Sequence, residues 1–421
     1  MSITIDQFCV HYLLAPLSIK WSLFYFVYIL VNTQRFTACF KSLILENLCD
    51  LNKMVDKLCI ILNIAPHYRK AIFKAIDNTF DCEWYAGDQV EDIKILSPDE
   101  LKNYTIVKNI RIYKNNYVQK GIFKLLFNRK YSKFLVTGDI RNISIWCFLF
   151  MSLFFRKKSV YTWTHGDNGK GGRISRLFKK LFASLSDGIF LYGDFARNNM
   201  IASGVNPNKL FVIHNSLDYD AQVKYRQNIK LTNIYKDHFG NNNRNLIFIG
   251  RLTSVKRLDL LLHAVRILRD RGVIVNVTFI GDGAERKTLE RISVEYDMQS
   301  ISWFYGMSYD EQKNAELIYN ADLCVSPGNI GLTAMHSLVY GTPVATHNNF
   351  ILQMPEFEAV KEGITGTYFN YLDSVSMADS IESWFTKHGG ERESVRKNCM
   401  REIDTNWTPR FQIDVLTKHL V

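Results

Sequence analysis

The stretch Pro327–His347, PGNIGLTAMHSLVYGTPVATH, decides how this chain is read. It has the character of a strand end, a glycine-bearing turn, and a helix opening at Gly331-Leu332-Thr333. That helix closes on Gly341, and Thr342-Pro343 leads straight into a new strand, VATH. A strand that feeds a helix through glycines makes a natural anion site. The first-turn backbone N–H groups have no partner within the helix, and the helix dipole points at the same spot.

Working outward, strand and helix alternate from Lys57 onward, the pattern of an α/β sheet. LCIILNI (58–64) is apolar but for Asn63, as expected of a strand buried on both faces. KFLVTG (133–138), SVYTWTH (159–165), GIFLYG (188–193) and KLFVIH (209–214) follow as strands, with helices at Arg173–Leu185 and Phe195–Ser203. The polar segment Tyr225–Arg244 reads as a linker. A second alternating set then starts at NLIFIG (245–250), with a helix over Leu258–Arg271 that carries Leu258, Leu261, Leu262, Val265 and Leu268 on one face. IVNVTFIGDG, ISWFYG, ADLCVSPG and TPVATH supply its further strands. The expected fold class is α/β, two Rossmann-like domains facing across a cleft, with ligands at the carboxyl ends of the strands.

The 421 residues, 47% hydrophobic and 22% charged, are ordinary globular composition with room for two cores. Eight scattered cysteines (9, 39, 49, 59, 82, 147, 324, 399) form no Cys-x-x-Cys pair, which fits a reducing compartment and neither zinc nor a disulfide framework. The net charge of +11 calls for an acidic partner. Residues 1–53 read as an N-terminal extension. Its apolar run Trp21–Val31 is shorter than the ~20 residues a membrane span needs. Three readings stay open for it: a membrane-associated hairpin or anchor, a helix packed on the domain, or an untranslated leader with Met54 as the true start.

At this point the order of motifs resembles the retaining, family-4 glycosyltransferases of GT-B fold. Gly250-Arg251-Leu252 with Lys256 is similar to their Gly-Arg-Leu…Lys signature, and Gly281-Asp282-Gly283 to their Gly-Asp-Gly turn. Phe304-Tyr305-Gly306 stands where they carry a Phe-x-Gly strand end; Ala321-Asp322 and Gly341-Thr342-Pro343-Val344 complete the order. In the first half, Trp163-Thr164-His165-Gly166 and the run from Gly204-Val205 to Asn215 and Asp218 resemble the family more loosely. The resemblance covers about residues 57–400. It implies an acceptor-binding domain over 54–235, a nucleotide-sugar-binding domain over 236–400, and a C-terminal helix over 401–421 returning to the first domain.

Sugar transfer from a nucleotide must stabilise a diphosphate that gains charge as the glycosidic bond breaks. Arg251 and Lys256, at and just beyond a strand end, are placed for phosphate oxygens, with the amides at Gly331, Leu332 and Thr333 facing them. The resemblance assigns the nucleotide base to Phe304, Tyr305 and Gly306. It also exposes a departure. Family members carry Glu-x7-Glu around the glycine turn, near the donor sugar and the ribose, whereas those positions here are Gly328 and His336. Imidazole still hydrogen-bonds ribose hydroxyls, and Asn329 could serve sugar hydroxyls. His165 is expected to touch the transferred sugar or its phosphate, Asp167 is a candidate proton acceptor, and His67, Tyr68 and Arg69 line the acceptor side. No metal ligand set and no cofactor beyond the nucleotide-sugar substrate is expected.

Charge placement speaks to the acceptor. Residues 102–133 carry nine Lys or Arg and no Asp or Glu, with aromatic and aliphatic residues interleaved. A second run, Lys170–Leu185, alternates Arg173, Arg176, Lys179 and Lys180 with Leu177, Phe178, Leu181, Phe182 and Leu185. As a helix it offers an apolar stripe and a cationic flank, suited either to an anionic membrane surface or to a core face with solvated charges. The expectation is therefore a transferase peripheral to the cytoplasmic face of the cell membrane, with a lipid-linked or polysaccharide acceptor and no nucleic-acid partner. The alternatives are a nucleotide-sugar epimerase of similar fold and a catalytically silent protein that binds a partner enzyme or lipid.

Overall fold

The computed structural model describes residues 56–89, 93–155 and 157–421. The readings placed on residues 1–53 and on Met54 as a start lie outside the described residues.

One sheet draws on strands β1 (Lys57–Leu62), β2 (Cys82–Gly87) and β3 (Tyr104–Val107). A hairpin, β4 (Asn109–Tyr113) and β5 (Asn116–Gln119), interrupts the series before β6 (Tyr131–Thr137), β7 (Ser159–Thr164), β8 (Gly188–Leu191) and β9 (Leu210–Val212). The order is β3-β2-β1-β6-β7-β8-β9, parallel in the pairings β1–β2, β1–β6, β2–β3, β7–β8 and β8–β9. The second sheet contains β10 (Arg244–Ile249), β11 (Val275–Ile280), β12 (Ser302–Gly306), β13 (Leu323–Ser326), β14 (Val344–His347) and β15 (Gly366–Phe369). Its order is β12-β11-β10-β13-β14-β15, parallel throughout. Counted within the sheet this is 3-2-1-4-5-6, the doubly wound order whose direction reverses between its first and fourth strands. Both sheets are thus Rossmann-like.

Packing divides the chain into two compact units, one running to Ala65 and including Phe80–Val160, the other made of Pro66–Thr79 and Tyr161–Val421. In the first, Cys59, Ile60 and Ile61 of β1 are fully buried, as are Phe134, Leu135 and Val136 of β6 and Phe148 and Leu149 of the helix Ile143–Ser152. A strand apolar from Leu58 to Leu62 needs such cover on both faces. Beyond the end of β1 a buried amide chain continues the order. Gln119 donates to the Leu62 carbonyl at 2.8 Å, and Asn142 donates to Gln119 at 2.7 Å while capping its helix at the Ser144 N–H.

In the second unit every residue of β11 is buried, and the helix Leu258–Asp270 buries Leu261, Leu262, Val265 and Leu268 completely, the face its periodicity predicts. Truncating any of these leucines to Ala would cost about 2–5 kcal/mol. The segment read as a linker, 225–244, is packed structure: it holds the end of one helix, Tyr219–Asn228, and all of another, Ile234–Phe239. Tyr235 is buried there, its hydroxyl donating to the Leu317 carbonyl at 2.7 Å. Two aromatic residues one helical turn apart, Tyr235 and Phe239, anchor this polar run. At the end of the chain the helix Pro409–Leu420 packs on the helix Lys70–Thr79, and His419 stacks on Phe211 at 3.6 Å. Among the described residues no helix is long and apolar enough to cross a membrane.

Candidate functional site

The two strands that flank the reversal of the second sheet, β10 and β13, each release a loop at their carboxyl ends. After β10 the chain runs through Gly250-Arg251 to a tight turn, Ser254–Lys256. This loop is gripped from both sides. At Gly281 a Cβ would lie 1.9 Å from the Gly250 carbonyl oxygen, so only glycine lets the turn after β11 pass. On the other side the Gly328 N–H donates to the Lys256 carbonyl at 2.9 Å. From β13 the helix Leu332–Val339 opens at Gly331, whose φ of 53° no β-branched residue would tolerate. Thr333 Oγ1 donates to the Ile249 carbonyl at 2.7 Å, tying the helix start to the end of β10. Arg251, Lys256 and the amides at 331–333 are therefore held at one end of one sheet.

The two cations differ in setting. Arg251 is exposed. Lys256 turns inward, donating to the Asn329 carbonyl at 2.5 Å and to its side-chain oxygen at 2.9 Å. Burial pushes its ammonium down to about 8, with the Arg251 charge acting the same way and Glu356 against it. Such a lysine is charged at neutral pH at some energetic cost, and an anion placed beside it would relieve that cost.

Gly328 and His336, the two positions where the resemblance would place carboxylates, each have a distinct setting. A Cβ at Gly328 would sit 2.1 Å from the Val255 carbonyl oxygen, so this backbone admits no side chain at 328. His336 faces a polar cluster: its Nδ1 lies 3.4 Å from Gln222 Nε2 and 3.8 Å from Glu311 Oε1. Glu311 also accepts from the Tyr340 hydroxyl at 2.7 Å. Burial lowers the imidazole pKa and the Glu311 charge opposes it. A carboxylate thus does stand beside position 336, supplied by the helix Glu311–Asn320.

Glu356, in the run Met354-Pro355-Glu356-Phe357-Glu358, carries no motif that marks it in the sequence. It is 2% exposed; Oε1 accepts from Asn215 at 2.8 Å, and Oε2 is buried without a partner. Burial raises its carboxyl, while Asn215, Lys256 and Arg69 pull the other way. Arg69 is its counterpart. The guanidinium lies over the Trp163 ring at 4.1 Å, with Nε and Nη2 buried and unpartnered. Unsatisfied buried polar atoms of opposite charge, acting on one another, describe a site shaped for a polar ligand.

Of the remaining candidates, His165 is exposed after β7 with its ring 4.6 Å from that of Tyr192. His67 and Tyr68 are exposed; partial burial pushes the Tyr68 phenol up, and the Arg69 and Arg251 charges oppose this, which places Tyr68 within reach of both arginines. Phe304 stacks on Phe279 at 5.0 Å and Tyr305 is half-buried, while the Gly306 carbonyl accepts from Gly281 N–H at 2.8 Å. Asp167 does not offer a free carboxylate. It is buried, and Oδ1 accepts from Lys179 at 2.6 Å and from the Gly169 N–H at 3.0 Å. Its place in the structure is that of a loop anchor.

Residues 232–401 match the family model Glycosyl transferases group 1. The chain thus carries a group 1 glycosyl transferase domain, and that segment contains Arg251, Lys256, Phe304–Gly306, Gly328–Thr333, His336 and Glu356. An uncharacterized 41.2 kDa protein in the cps region of Klebsiella pneumoniae is 25% identical over 288 residues, 68% of this chain and 69% of that protein. A GDP-mannose-dependent alpha-(1-6)-phosphatidylinositol dimannoside mannosyltransferase of Mycobacterium tuberculosis is 34% identical over 101 residues, 23% of this chain and 26% of that protein. The chain is therefore matched along about a quarter of that relative's length. The crystal structure of HepE from Anabaena in complex with UDP superposes with a TM-score of 0.65, covering 87% of this chain and 99% of that one at 14% identity. At that identity the likeness is one of fold.

Proposed function

We propose that this protein is a retaining glycosyltransferase of family 4, a variant without the Glu-x7-Glu carboxylates. It would move a sugar from a nucleotide-diphosphate sugar to a lipid-linked or polysaccharide acceptor in the synthesis of a surface glycan. The observation that carries the reading is the meeting of Arg251, half-buried Lys256 and the helix start at 331–333 beside the reversal point of the second sheet. The match of residues 232–401 to a group 1 glycosyl transferase model and the capsule-region relative support it.

On this reading the diphosphate lies between Arg251 and the amides at 331–333, where charge developing on the leaving group meets a guanidinium, an ammonium and a helix N-terminus already in position. These protein cations take the part that a metal ion plays elsewhere, and no metal or further cofactor is proposed. Phe304, Tyr305 and Gly306 would border the base. Asn329, Gly328 and His336 would border the sugar and ribose, with Glu311 behind His336. Retention is proposed to follow front-face departure and attack, with the phosphate assisting deprotonation of the acceptor, so no side chain is named as general base. His165 would contact the transferred sugar; His67, Tyr68 and Arg69 would face the acceptor. The proposed place of work is the cytoplasmic side of the cell membrane, with no spanning helix among the described residues.

The deciding measurement is thermal stabilisation, from Met1 and from Met54, by nucleotide diphosphates and nucleotide sugars. A rise in melting temperature with one base, lost in Arg251→Ala and Lys256→Ala, supports the donor site and names the nucleotide. Transfer to an acceptor, as opposed to release of free sugar, separates a transferase from an epimerase. A folded protein that answers to no nucleotide at millimolar concentration would instead be a silent binding protein.

A further inference from the structure

The helix Arg173–Ser184 turns an apolar face outward. Phe182 and Ala183 are buried on its inner side, yet Ile174, Leu177 and Leu181 are 53, 66 and 47% exposed. At about 100° per residue these three fall on a single strip of the helix surface. Arg176 and Lys180, one turn apart, are exposed alongside, and no acidic residue occurs between Lys170 and Ser186. Three large aliphatic side chains in a row are a poor water face, and the cations beside them select among the surfaces that could cover it. An anionic bilayer satisfies both halves: aliphatic side chains enter the acyl boundary while Arg176 and Lys180 stay at headgroup phosphates.

The same helix holds the loop that follows His165. Lys179 Nζ lies 2.6 Å from Asp167 Oδ1 and donates to the Lys170 carbonyl at 3.0 Å. Asn199 fixes the Asp167 carbonyl from the adjacent helix at 3.1 Å. Between these pins the segment Gly166–Gly172 contains four glycines, so its own backbone preferences define little. Its position follows the helix through Lys179.

We propose that the outward face of the helix Arg173–Ser184 docks on an anionic bilayer, and that the Lys179–Asp167 pair carries this docking to the loop beside His165, completing the site at the lipid surface. The proposal rests on the reading above of a transferase whose acceptor is borne by a membrane.

The test uses the full chain with phosphatidylcholine vesicles, either plain or containing roughly a third phosphatidylglycerol. Co-sedimentation and amide hydrogen exchange over 165–185 are measured for the wild type and for Leu177→Asp/Leu181→Asp, with UDP-induced and GDP-induced melting shifts read on the same samples. The expected result is binding to anionic vesicles at least tenfold tighter than to neutral ones, lost by tenfold or more in the double variant, with slower exchange in both 174–184 and 165–170. Equal binding to both vesicle types, binding that survives the double variant, or protection confined to the helix would overturn it. So would a self-association or protein complex that the double variant dissolves while vesicles go unbound. A nucleotide shift retained without vesicle binding overturns the docking alone; vesicle binding without any nucleotide shift overturns the transferase reading on which it rests.

Discussion

The Arg69 guanidinium lies over the Trp163 indole at 4.1 Å, and two of its nitrogens, Nε and Nη2, are buried without a hydrogen-bond acceptor. An arginine that only stabilised the fold would have those N–H groups paired. Arg69→Met should therefore lower transfer by about 100-fold or more, far beyond the loss of stability that follows from taking its charge away from Glu356 and its hydrogen bond away from Tyr192. Melting curves and kcat/KM measured together decide this; a large loss of stability with proportionate activity would make Arg69 structural.

Lys256 makes donor binding depend on pH. Its ammonium is held at about 8 in the free protein, and a bound diphosphate would raise it. Affinity should thus be full below pH 8, fall by up to about tenfold per pH unit as pH rises above it, and level off once the bound-state value is passed. Titrating nucleotide diphosphate affinity from pH 7 to 10 should show this fall in the wild type and a flatter line in Lys256→Met. Parallel lines would remove Lys256 from the phosphate site.

Introducing at 328 and 336 the carboxylates of the family proposed above should fail at both positions, for different reasons. Gly328→Glu would drive a Cβ to 2.1 Å from the Val255 carbonyl, displacing the loop that carries Lys256. His336→Glu would set a carboxylate beside Glu311, now 3.8 Å from the imidazole. Each is expected to destabilise by roughly 1–3 kcal/mol and to lose nucleotide response rather than gain it. A variant that melts normally and binds donor more tightly would show that the backbone at 328 yields, or that Glu311 can turn away.

Glu358 predicts a pH-dependent stability. Its carboxylate accepts from the Asp194 and Phe195 N–H groups at 2.7 and 2.8 Å, yet burial still lifts its pKa to about 7. Between the unfolded value near 4.5 and about 7 the folded protein binds more protons than the unfolded chain, so stability falls as pH rises through that window and the loss is complete above it. The contribution is at most on the order of 3 kcal/mol. Denaturant unfolding of the wild type and of Glu358→Gln at pH 5 and pH 8 should show a smaller pH difference in the variant. Equal differences would mean that Glu358 is already ionised at pH 5.

Much of the architecture was legible because it is written locally. Apolar runs such as LCIIL and VNVTFI, each followed by glycine or polar residues, mark strands whether or not their neighbours are known. The face of Leu258–Asp270 follows from spacing alone. The helix within the segment 225–244 was not legible, because two aromatics in a polar stretch become a packed helix only when another helix offers them a surface. Likewise Asp167, a candidate proton acceptor in sequence, shows its pairing only in space, because its partner Lys179 lies on the following helix.

By itself, then, the amino-acid order determined the alternation of strands and helices, the glycine turns that free the strand ends, and the cations beside them, since each depends on residues a few positions apart. Only the tertiary structure decided that Glu356 and Arg69, far apart in the chain, act on one another. It alone decided that Gly328 lies against the Val255 carbonyl, that Glu311 stands behind His336, and that Leu177 and Leu181 face outward. Those relations are set by which segments pack together, and packing sums weak contacts over the whole fold, which no short stretch of sequence contains.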